Sequence, residues 1–402
     1  MIEKGCEEME TAENKTIFDY IEQYGDCDFS NKPFNEIDAA VFSQLVYNEF
    51  DGIVDRNDSK LSLKDACDLF FERYSETELE NLIDVSARAA MLLKCCAKTK
   101  RFGETELLYY INNINDRIDK QIAAVNFLLS DGSLMVAFRG TDVTATGFKE
   151  SMMLSYMFPV PAQIEALHYF QETAMLHSGD VRISGHSKGG NLAIFAAVNC
   201  SNSLKKKVTG VYACDAPGFP KWFFDRYDYK QIEDKIFLYT PQSSVVGRIL
   251  FNAKKPEIIV SSLNGIKQHR VSSWEVDDDR FVRTEEYDTF SNDVSSYIND
   301  LIDYINDDDL EDFYNAIEII FNSVGVVDFY DLKKMNFKST LTLIDHLSIL
   351  DPEQKVRFKS VIKKAFSEFT RRFISSKAKS HIKDLKLFSR REKPETEENS
   401  EM

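Results

Sequence analysis

The chain has 402 residues, 43% of them hydrophobic and 29% charged, a composition that can bury a core and excludes collagen-like or low-complexity structure. With 49 basic against 66 acidic residues the net charge is −17, which argues against nucleic acid and anionic lipid as partners, because both are held by clustered Lys and Arg. Seven scattered Cys with no C-x-x-C pair, and no apolar run of about 18 residues, lead to the expectation of a cytoplasmic protein with reduced thiols, no metal knuckle and no integral membrane segment.

Residues 1–15 are acidic and read as a disordered tail. From Thr16 to about Lys98 the pattern is helical. One apolar stripe follows Pro33-Phe34-Asn35-Glu36, and Ser62-Leu63-Lys64-Asp65 reads as a capping box before Ala66, Leu69 and Phe70. A third helix is expected over about 79–98. The character changes at Ile122. Two β-rich runs, 122–129 and 134–139, flank Ser130-Asp131-Gly132-Ser133, a hairpin signal. A helix over about 161–176, a short strand at 181–184 and a second helix over about 190–200 follow. Further strands are expected at 208–213, 235–239 and 257–261. Strands separated by helices predict a mainly parallel sheet flanked by helices, with the opening hairpin as an antiparallel edge. After about Glu285 only helical patterns remain, at 287–305, 310–324 and roughly 352–377, followed by a charged tail. The expected organisation is therefore a tail (1–15), an α/β domain with its N-terminal helices (16–285), a helical extension (286–380) offering a surface to a protein partner, and a second tail (381–402).

Gly185-His186-Ser187-Lys188-Gly189 matches G-x-S-x-G, with a strand candidate before it and a helix candidate after it. That context matters because a nucleophile on a sharp strand-to-helix turn needs glycines where Cβ atoms would collide, and the helix N-terminus aims free N–H groups at the reacting centre. Ser187 is the candidate nucleophile. Lys188 would contribute its backbone N–H to an oxyanion, its side chain being expected to face solvent. Thr141, in Phe138-Arg139-Gly140-Thr141-Asp142 after an early strand, is the second oxyanion candidate. Of the six His, His269 lies in a polar loop after the last expected strand, the place of the base in a Ser-acid-His chain order. His186 should point away from Ser187. Asp215, at the end of the first strand after the elbow helix, is the candidate acid; the next strand ends in Thr240-Pro241-Gln242-Ser243-Ser244 without a carboxylate. The apolar segment holding Met153, Met157 and Phe158 reads either as the wall of an acyl pocket or as core.

These residues resemble the class 3 lipase branch of the α/β-hydrolases and, more narrowly, a bacterial lipase-like domain family of the Mbeg-like kind. The resemblance rests on TIFDYIEQYGD, FRGTD, PVPAQIEA, GHSKGGNLA, CDAPGF and GIKQHRVSSWEV, spread over about 16–280. It implies an α/β-hydrolase fold and a serine hydrolase with Ser187 as nucleophile, His269 as base and Thr141 with Lys188 as oxyanion donors. A turn resembling Asp215-Ala216-Pro217-Gly218 carries the acid in some lipases. No metal or cofactor is implied, and the substrate class is an ester, of a small molecule or a lipid. The rival expectation is a hydrolase scaffold kept as a non-catalytic binding protein.

Overall fold

The computed structural model describes residues 14–75, 84–142, 144–323, 350–361, 363 and 364. The tail expected at 1–15 lies outside them except for residues 14 and 15, as do the charged tail at 381–402 and most of the helix expected at 352–377.

Four helices open the described chain: α1 (Ile17–Tyr24), α2 (Glu36–Leu45), α3 (Leu63–Arg73) and α4 (Asp84–Ala97). Asn35 caps α2 by accepting from the backbone of Ile37 and Asp38, and the Asp38 carboxylate returns a bond to the Asn35 N–H. Asp38 is fully buried and meets the Arg101 guanidinium at Nε, 2.8 Å away. Arg101 also donates to the carbonyls of Cys27 and Lys32, so this charge pair has its remaining donors satisfied, the condition under which burial of ions is tolerated.

The sheet contains nine strands in the order β1 to β8 and then β11. Its antiparallel half is β1 (Leu61–Ser62), β2 (Glu106–Asn115), β3 (Lys120–Leu128) and β4 (Leu134–Phe138). Its parallel half runs from β4 through β5 (Val181–His186), β6 (Val208–Cys214), β7 (Ile236–Pro241) and β8 (Glu257–Ile259). A two-stranded ribbon, β9 (Val276–Asp277) with β10 (Arg280–Phe281), precedes β11 (Arg283–Thr284), which closes the edge antiparallel to β8. Between β4 and β5 lie α5 (Ala145–Met153) and α6 (Pro161–Met175); α7 (Lys188–Asn199) follows β5; α8 (Thr289–Tyr304) and α9 (Asp307–Ser323) follow the sheet.

Alternation along β4 divides the core. Met135 and Ala137 pack with the N-terminal helices, alongside Phe42, Phe102 and Phe127. Val136 and Phe138 face the opposite way, into a cluster with Ala166, Phe170, Leu192 and Ala196 of α6 and α7. A parallel strand covered on both faces has no polar side to show, which is why Leu134–Phe138 is entirely buried. This is an α/β-hydrolase-like architecture: a mixed, mostly parallel sheet flanked by helices.

Two corrections concern the sheet. From sequence it is expected to begin at Ile122, whereas β2 already spans Glu106–Asn115. A bulge between Leu108 and Ile111, with Tyr109 at φ +58°, breaks the two-residue alternation that would have marked it. The ribbon and β11 are only two residues per strand, too short to carry a periodic signal.

Candidate active site

Ser187 sits between β5 and α7 with φ +55° and ψ −132°, a conformation a non-glycine residue adopts only when its surroundings impose it. They do so here through backbone bonds: Ser187 N donates to the Cys214 carbonyl at 2.9 Å, and Gly190 N donates to the Ser187 carbonyl at 3.0 Å. The turn is also sterically closed. A Cβ on Gly185 would lie 2.2 Å from the Gly189 carbonyl, and one on Gly189 would lie 2.1 Å from the Phe138 carbonyl oxygen. The two glycines of the motif are thus required by crossing backbones.

The chain leaving β4 passes directly over this turn. A Cβ on Gly140 would be 3.1 Å from Ser187 Cβ and 2.6 Å from the His186 carbonyl oxygen. Thr141 follows; its hydroxyl is hydrogen-bonded to the Ser151 hydroxyl of α5, and among the described residues its backbone N–H has no acceptor. Lys188 opens α7, where a first-turn N–H has no partner within the helix. Both N–H groups therefore remain available beside the serine.

The Lys188 side chain corrects the expectation of solvent exposure. It is 1% exposed, and its ammonium donates to Glu150 Oε2 at 2.7 Å, and to the Gln121 carbonyl and Gln121 Oε1, each at 2.8 Å. Glu150 also accepts from the backbone N–H groups of Gln121 and Ala162. Burial pulls the Lys188 pKa down, and the Glu150 carboxylate opposes that shift. The pair fastens the elbow to β3 and α5.

Asp215 and His269 are in contact: Asp215 Oδ2 lies 2.6 Å from His269 Nδ1. A carboxylate accepts only, so Nδ1 carries the proton and Nε2 is the basic nitrogen of the neutral ring. Asp215 is 1% exposed and adopts φ +46° just past β6. Its other oxygen accepts from the Ser244 hydroxyl and from Gly247 N at 3.1 Å. The end of β7 carries no acid, and there Ser244 supports the carboxylate of the neighbouring strand while Ser243 donates to Asp288. The His269 side chain remains 28% exposed. Its loop is secured by buried Gln268, which accepts from Ser243 N at 2.8 Å and donates to the Leu263 carbonyl at 2.7 Å.

His186 reaches toward the His269 loop. Its ring centre lies 4.4 Å from that of His269, with the two planes tilted by 37°, and its Nε2 is 2.8 Å from the His269 carbonyl oxygen. The Ser187 hydroxyl makes no hydrogen bond among the described residues, so of the two links in a Ser–His–Asp chain, His–Asp is closed and Ser–His is open in this conformation.

The three apolar candidates separate. Met157 and Phe158 line a cavity of 620 Å³ together with Trp222, Leu250, Phe251 and Ile302. Met153 does not line it but is buried with Leu154 and Val160. Neither Ser187 nor His269 is among the residues lining this cavity.

Sheet, elbow and an imidazole–carboxylate pair at the ends of parallel strands define the class, an α/β-hydrolase-like protein. Residues 96–321 match the family described as Mbeg1-like, and the chain belongs to that family. Among solved structures, the crystal structure of M37 lipase is similar over 52% of this chain and 69% of that one, at 14% identity and a TM-score of 0.33. A comparison with curated proteins finds no match. Among the described residues, no helix is long and apolar enough to cross a membrane.

Proposed function

We propose that the protein is a serine hydrolase that cleaves carboxylic esters, including esters of lipids. The observation that carries this reading is the Asp215–His269 contact formed beside a serine with φ +55° on a strand-to-helix turn. In the proposed reaction Ser187 Oγ attacks the ester carbonyl while His269 Nε2 accepts its proton. Asp215 keeps Nδ1 protonated and stabilises the imidazolium. The N–H groups of Thr141 and Lys188 receive the oxyanion. His269 returns the proton to the leaving alcohol, and water then hydrolyses the acyl-enzyme by the same route.

A fluorophosphonate probe tests this on the folded protein. Covalent labelling that disappears in Ser187→Ala, together with hydrolysis of p-nitrophenyl esters, is the expected result. A folded protein that neither labels nor hydrolyses is instead a binding protein on a hydrolase scaffold, a reading favoured by the open Ser–His link.

A further inference from the structure

Three loops meet at His186, and its hydrogen bonds have only one consistent assignment. Nε2 faces the His269 carbonyl oxygen at 2.8 Å; a carbonyl only accepts, so Nε2 carries a proton. Burial, followed by the proximity of His269, holds the His186 pKa well below that of a free histidine, so the ring is neutral and Nδ1 is an acceptor. The Tyr47 hydroxyl, 3.1 Å from Nδ1, therefore donates to it. The Tyr47 hydroxyl also packs against Gly140, so closely that a Cβ there would lie 2.3 Å from its oxygen. The chain of donors runs from Tyr47, packed on Gly140, through His186 to the His269 carbonyl. It joins the loop of the candidate oxyanion donor, the residue before the nucleophile and the backbone of the candidate base.

We infer that His186, oriented by Tyr47, is a positioning residue for His269: through the carbonyl bond and the contact between the two rings it fixes the base relative to the Ser187 turn and the Gly140-Thr141 loop. This rests on the hydrolase reading for its consequence in turnover, but not for its consequence in geometry. His186 touches no reacting atom. A neutral neighbour is also the one compatible with His269 becoming charged during a turnover, since a second cation with ring centres 4.4 Å apart would oppose that protonation.

The test compares His186→Gln, His186→Leu and Tyr47→Phe with the unaltered full chain, using p-nitrophenyl butyrate for kinetics and proton NMR for the downfield Nδ1–H resonance of His269. His186→Leu is expected to lower kcat by about 10²-fold, the scale of a small misplacement of a reacting group, with KM within about twofold, and to shift or broaden the downfield resonance. His186→Gln retains an N–H donor and is expected to recover most of both; Tyr47→Phe should fall between them. A folded His186→Leu with unaltered kcat and an unmoved resonance overturns the inference, as does an equal loss in the Gln and Leu variants, which would mean packing alone. Should the Leu variant fail to fold, Gln and Tyr47→Phe decide it in the same way. If the unaltered protein neither labels nor turns over, the hydrolase reading fails, and the resonance alone decides the positioning.

Discussion

Lys188 stands one residue beyond the proposed nucleophile, yet its ammonium is buried against Glu150. The first turn of a helix is ordinarily a place where a lysine reaches water, and the partner lies 38 positions upstream in α5, so no local pattern announces the pair. Replacing Lys188 with Met would leave a buried carboxylate without its cation, a change expected to cost about 3–5 kcal/mol of stability. A Lys188→Met/Glu150→Gln double variant should recover part of that, because the uncompensated charge is gone; equal denaturation midpoints for the single variant and the wild type would contradict this account. The residues proposed to carry the chemistry were more legible. Ser187 and His269 follow from motif and chain order, and Asp215 from its place at a strand end, while Ser244 and Gly247, which hold the Asp215 carboxylate, come from a loop whose approach no spacing reveals.

His186 also makes a stability prediction at this scale. Its pKa falls well below the free value of 6.5 on folding, so between those two values the unfolded chain binds a proton that the folded chain excludes. Its contribution is fully present above about pH 6.5 and is lost as pH falls below it. Between pH 7 and 5.5 the loss should be about 1 kcal/mol, read as a drop in unfolding free energy by urea titration. His186→Gln should lack this component. His177, whose pKa burial also lowers, is present in both proteins and drops out of the comparison.

Among the elements, the elbow was the most readable because three constraints coincide there: an apolar strand, glycines at fixed offsets and a helix with small residues. The structure supplies the steric reason, and with it a test. Gly189→Ala would bring a Cβ to 2.1 Å from the Phe138 carbonyl, a clash with backbone that no side-chain rotation relieves. The variant is expected to lose stability at the upper end of the roughly 1–3 kcal/mol typical of overpacking, or more; an unchanged melting temperature would mean the turn is looser than drawn here. By contrast β2 escaped notice although Leu107, Tyr110 and Ile111 are typical strand residues. Its bulge shifts the side-chain alternation midway, and periodicity is the only handle a sequence offers on a strand of this kind. The helix α5 was hidden for another reason: among its buried positions in Ala145–Met153 is Glu150, a charged residue paired with Lys188.

At the scale of the molecule, the division expected near residue 285 cuts across the hydrogen bonds that hold the candidate acid. Asp288, the N-cap of α8, accepts from the Ser243 hydroxyl, and its backbone N–H donates to the Gln242 carbonyl at 3.0 Å. Ser291 donates to the Ser244 carbonyl, and the Tyr287 hydroxyl is bonded to Thr240. More than two turns further on, Asn299 bonds the backbone on both sides of Ile249, accepting from Leu250 N at 2.7 Å and donating to the Arg248 carbonyl at 2.6 Å. The segment so fastened, 240–250, is the one whose Ser244 and Gly247 donate to Asp215. Composition marks the end of the strands but is blind to these polar contacts, several of them made by short side chains of α8 that read as helix surface. We therefore propose that α8 belongs with the sheet as a functional unit. A chain ending at Glu285 should fold poorly or, if folded, react with a fluorophosphonate at least about tenfold more slowly than the full chain, because Asp215 would lose the support that orients His269. Ser291→Ala and Asn299→Ala, which leave the helix in place, should reproduce a smaller part of the loss. Labelling of the truncated chain at the full rate would return α8 to the status of a separate extension.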